Sequence, residues 1–153
     1  MNKIEIHTKY DGFDCEDCGW CDMSSFTITY DGITHTFEHD GHFGSGEWDG
    51  NEDSKLLFAI AVIYGVKSVY IDTDGYSRYI GSGIFISLVI TSVMSLCGSI
   101  RRHIAEIKSP TGDTLHTVDY IVENEYVDYD ASLIFDSVCK SKGIEVVYSH
   151  ERN

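Results

Sequence analysis

The sequence predicts an α+β fold: a single domain in which a mixed or mainly antiparallel sheet opens with a β-hairpin and is covered by two or three helices. Three observations carry that prediction. Alternating apolar and polar runs outnumber helical ones, an Asp31-Gly32 pair joins two of those runs, and two apolar segments end on glycine as helices do. With 153 residues, 42% of them apolar, and a single proline, the chain is long enough for one domain spanning residues 1–153 to bury a core of its own. No internal repeat or linker divides it.

Taken in order, KIEIHTKY at 3–10 alternates and reads as a first strand, followed by a cysteine-rich loop at 11–24. In SSFTITYDGITHTFEH, the Asp-Gly pair favours a two-residue type I′ turn. That turn sets Tyr30 opposite Ile33, Ile28 opposite His35 and Phe26 opposite Phe37. The apolar residues and His35 then share one face, and Thr27, Thr29, Thr34, Thr36 and Glu38 share the solvated one. Residues 40–52 are glycine-rich and acidic, a loop.

Asp53 or Ser54 is the expected cap of a helix through LLFAIAVIY to Gly65, apolar on all sides and therefore deeply buried. VKSVYID at 66–72 reads as a strand. From Tyr79 to Ile100 run 22 residues with no formal charge. Ser87, Thr91, Ser95 and Ser99 recur in it every fourth residue, which suggests a core helix over 84–97 and not a membrane span. HIAEIK and TLHTVDYIVENE, joined by the SPTGD turn, read as a hairpin. Asp130 caps a last helix through SLIFDSVCKSK, closed by Gly143 with Lys140 and Lys142 near its negative end, and IEVVYSH is the final strand.

Twenty-five acids against 11 bases give a formal charge of −14. The excess is uneven, since residues 1–53 hold 13 acids and 2 bases while residues 54–105 hold 2 and 5. Such a field opposes direct nucleic-acid binding and adhesion to anionic membranes, and attracts a basic protein surface. Met1–Tyr10 lacks the apolar segment of a secretory signal, so a cytoplasmic protein is expected.

CEDCGWC places Cys15, Cys18 and Cys21 at equal spacing, and the hairpin register brings His39 opposite Ser24 and His42 opposite Cys21. Three thiolates and one imidazole, from His42 or His39, are a common donor set for a closed structural zinc site. Free reduced thiols fit the sequence equally well, and a disulfide with one spare thiol fits it less well. Cys97 and Cys139 lie in apolar segments and are expected to behave as small hydrophobes.

Enzyme signatures are weaker. Asp72-Thr73-Asp74 follows a strand but has the composition of an ordinary turn. His35, His39 and His42, with Asp40, could form an open metal site in a small hydrolase. The reading that the charge favours is non-catalytic: an acidic, viral-type inhibitor that imitates nucleic-acid charge against a basic, nucleic-acid-handling defence enzyme. Its contact residues are expected at Asp14, Glu16, Asp17 and Trp20, and at Asp119, Glu123, Glu125, Tyr126 and Asp128, where aromatics sit among the carboxylates. A third expectation is an assembly protein that self-associates through the helix at 84–97.

Overall fold

The computed structural model describes residues 2–17, 19–40, 52–94, 101–122 and 129–152. Asp31 and Gly32 both adopt positive φ, 54° and 76°, as a type I′ turn requires, and they join strand β2 (Gly19–Tyr30) to β3 (Ile33–Asp40). The pairing is the one the turn dictates: Tyr30 with Ile33, Ile28 with His35, Phe26 with Phe37 and Ser24 with His39. Thr27 and Thr36, and Thr29 and Thr34, face each other across the outer surface with hydroxyl oxygens 3.3 and 3.0 Å apart.

β2 also pairs antiparallel with β1 (Lys3–Cys15), and β1 pairs in parallel with the last strand, β9 (Glu145–Arg152). The first sheet therefore has the order β3-β2-β1-β9. The second is built from the middle of the chain: β4 (Val69–Asp72), β5 (Ser77–Ile80), β6 (Ile86–Met94), β7 (Arg101–Lys108) and β8 (Thr114–Val122), in the order β5-β4-β6-β7-β8. Both sheets are mixed, where one sheet was expected.

Two helices make the passages between the sheets. Helix α1 (Glu52–Ile63) leads from the first to the second, and α2 (Ala131–Lys142) leads back. α1 touches β2, β4 and α2, so every residue from Leu56 to Ile63 is buried and its lack of a polar side has a physical cause. It begins at Glu52, so Asp53 and Ser54 belong to its first turn instead of capping it. Phe37 of β3 stacks on Phe58 at 4.1 Å between centroids, and Ile4, Ile6, Phe26 and Ile28 complete that side of the core.

Both helices end alike. Val66 N–H reaches Ala61 O and Gly65 N–H reaches Val62 O, while Ile144 N–H reaches Cys139 O and Gly143 N–H reaches Lys140 O. Each is a Schellman closure with a left-handed glycine. At its other end α2 is capped by Asp130, whose carboxylate accepts the Leu133 N–H at 3.0 Å. Cys139 is buried, and desolvation pushes its thiol up to about 11, so it packs as a small hydrophobe.

The helix expected over 84–97 is not formed: Ile86–Met94 is β6, an interior strand between β4 and β7. Ile86, Leu88 and Ile90 are buried while Ser87, Val89 and Thr91 turn outward. A four-residue polar spacing is two strand periods as well as about one helical turn, so it does not separate the two forms. The β-branched content of ISLVITSV then favours the strand. Self-association through such a helix loses its basis. Among the described residues no helix is long and apolar enough to cross a membrane.

Candidate functional site: an acidic two-stranded arm

The segment 11–24, expected as a loop, is mostly ladder. β9 stops pairing with β1 at Tyr10, opposite Arg152, and β3 stops pairing with β2 at Met23, opposite Asp40. Past those points β1 and β2 continue to pair with each other through Phe13 with Cys21, Asp14 with Trp20 and Cys15 with Gly19. Among the described residues they have no other strand neighbour there. Five residues of β1 at about 3.4 Å each make an arm of roughly 17 Å.

Residues 11–22 include Asp11, Asp14, Glu16, Asp17 and Asp22 and no basic residue. Glu16 and Asp17 form the turn at the tip and are exposed. Asp11 and Asp22, the latter opposite Gly12, lie near the base of the ribbon, Asp14 lies further out on β1, and Glu16 and Asp17 are in the turn. The arm thus gathers Asp14, Glu16, Asp17 and Trp20, all expected at an interface, into one ribbon.

The second acidic cluster is brought together less. Asp119 lies on β8, exposed, with Oδ1 3.1 Å from Nε of Arg102 on β7, so its charge is already partly answered. An exposed pair of this kind contributes little to stability. Glu123, Glu125, Tyr126 and Asp128 lie outside the described residues. On the outer face of the first sheet Glu5 pairs with Lys3 at 3.0 Å, and a Glu151 carboxylate oxygen lies 3.1 Å from Nε2 of His7.

For the proposed metal ligands the register is informative. Cys15 stands opposite Gly19 at the tip, whereas His39 stands opposite Ser24, five strand positions away or roughly 17 Å. Cys18 and His42 lie outside the described residues, and among the described residues no group of three or more His, Cys, Asp or Glu is placed to hold a metal ion. His35 is opposite Ile28 on the apolar side of the hairpin, and burial holds its imidazole below the ordinary value, with Lys67 adding to the effect. Asp72 and Asp74 flank a turn in which the Thr73 hydroxyl accepts from Gly75 and Tyr76 N–H, and Asp74 accepts the Ser92 N–H at 2.9 Å. The Asp74 carboxylate thus ties this turn to β6.

Lys55 and Arg152 escaped the sequence reading, although a lysine one turn into a wholly apolar helix was a visible signal. Its ammonium lies 3.3 Å from Thr8 Oγ1 on β1, within the interior. No family model matches this chain, and neither a curated protein nor a solved structure matches it.

Proposed function

We propose that this chain is an acidic binding protein of the viral-inhibitor type, which occludes the basic cleft of a nucleic-acid-handling enzyme by laying its two-stranded arm where a nucleic-acid strand would run. One observation supports the reading: five acidic residues and no basic one fall within a single two-stranded ribbon. The ladder fixes the backbone that carries these residues, so less ordering entropy opposes binding than a loose acidic loop would meet. The long-range field of a chain at −14 adds steering toward a positive partner.

The test is recovery of partners from the source cells at low and high salt, with the parent protein beside a variant carrying Glu16→Lys and Asp17→Lys. Both positions are exposed turn residues, so the variant is expected to fold. A nucleic-acid-binding enzyme should be retained by the parent at low salt, released by duplex DNA or by high salt, and lost with the variant. Retention indifferent to salt, DNA and charge reversal would rule out mimicry.

A further inference from the structure

On the outer face of the first sheet, the parallel pairing of β1 with β9 sets His7 beside Ser149 and Lys9 beside Glu151. The His7 ring spans the gap between the two β9 side chains. Its Nδ1 lies 2.7 Å from Ser149 Oγ, and its Nε2 lies 3.1 Å from Glu151 Oε1. A carboxylate only accepts, so in the neutral ring Nε2 carries the proton donated to Glu151 and Nδ1 is left to accept from the serine hydroxyl. A hydroxyl, an imidazole and a carboxylate joined in that order are the parts of an acyl-transfer nucleophile, recognised by their contacts and not by their order in the chain.

The backbone beside Ser149 adds a further part. Glu145 N–H reaches Asn2 O at 2.9 Å, so the amide of Glu145 faces β1. Alternation along the strand turns the amide of Ser149 the same way and that of His150 toward the opposite side, the outer edge of the sheet. Among the described residues no strand pairs with that edge. The N–H of the residue after a nucleophilic serine is a recurrent donor to the oxyanion that forms on attack. Ser149 and His150 also line a cleft of about 710 Å³, within the range of small-molecule sites.

We propose that Ser149, His7 and Glu151 hydrolyse neutral carboxylic esters with short acyl groups. Ser149 Oγ forms a bond to the acyl carbon as its proton passes to Nδ1 of His7. The bond from that carbon to the alcohol oxygen then breaks, and Nδ1 returns the proton to the departing oxygen. Water, deprotonated by the same nitrogen, releases the acid and restores the serine. Glu151 takes no proton and acts as a positioning residue that holds the ring and stabilises its charged form. Ser149 and Glu151 are exposed, which suits a short acyl group and admits the water. A chain at −14 repels anionic substrates, which favours a neutral ester. None of the three residues lies in the arm at 11–22, so the activity is independent of the arm's role.

Two measurements on the full chain test it: turnover of p-nitrophenyl acetate, and labelling by a fluorophosphonate probe with the modified residue located by mass spectrometry. The probe should modify Ser149, and Ser149→Ala should reduce turnover to the rate in buffer. His7→Gln should lower kcat about a hundredfold or more, and Glu151→Gln should lower kcat while leaving KM unchanged. Circular dichroism checks the fold of each variant. Turnover no faster than in buffer, a Ser149 left unmodified by the probe, or equal turnover in the parent and Ser149→Ala would overturn the assignment.

Discussion

The hydroxyl of Tyr120 lies 3.2 Å from Nδ1 of His103, its register partner across β7 and β8, and the two rings meet edge to face at 5.3 Å. The same hydroxyl accepts the N–H of Asp130, the α2 cap, at 3.0 Å. One oxygen thus joins the second sheet, a wholly buried imidazole and the start of α2.

Tyr120→Phe keeps the ring and removes that oxygen. The Asp130 N–H and the buried Nδ1 both lose a partner, a change that costs about 1–3 kcal/mol. Urea denaturation should show the midpoint falling with the slope unchanged. A midpoint equal to the parent's would mean that the hydroxyl joins nothing.

Two glycines with the same backbone geometry separate strain from packing. Gly81 and Gly112 have φ of 95° and 96°, but a Cβ at 81 would lie 2.7 Å from both Lys67 O and Ser68 Cβ, while at 112 nothing lies within 4 Å. Ser68 cannot easily yield, because it is fully buried and its hydroxyl donates to Ile84 O at 2.7 Å. Gly112→Ala should therefore cost only the left-handed penalty, about 1–2 kcal/mol, and Gly81→Ala roughly 1–3 kcal/mol more. Equal losses in thermal or chemical denaturation would contradict the close approach at 81.

These particulars show what the sequence could and could not disclose. The Asp31-Gly32 turn fixed a register down to Ser24 opposite His39, because a two-residue turn leaves no freedom in the pairing. Asp130 and Gly143 marked α2 for equally local reasons. The uncharged runs at 56–63 and 86–94 look alike, yet one is helix and the other strand. Burial on all sides leaves the first without a polar face, and the four-residue polar spacing of the second fits helix and strand alike, so composition is left to decide. β5 was missed because its four residues flank a turn, and the division into two sheets follows from long-range pairing that no short window contains.

The sites divide in the same way. The acids of 11–22 were plain in composition, but their arrangement on a ribbon instead of a loop needed the point at which β3 and β9 stop. The juxtaposition of Thr8 with His150 and of Tyr10 with Arg152 was harder to see, because only the parallel pairing of β1 with β9 brings the two ends of the chain together.

A final expectation concerns acid. His116 Nε2 lies 2.9 Å from Ser137 Oγ, joining β8 to α2, and burial holds this imidazole below its ordinary value of 6.5, with Lys142 contributing. His35 is lowered for the same first reason. An imidazole lowered on folding binds fewer protons in the native chain than in the unfolded one. Its stabilising contribution is thus full above about pH 6.5 and lost as the pH falls from there through the native value. Denaturation midpoints should hold near neutrality and fall below about pH 6.5, before the carboxylate range near pH 4 is reached. His116→Gln should flatten part of that fall. A slope identical to the parent's would show that the His116 ring is as accessible to protons in the native chain as in the unfolded one.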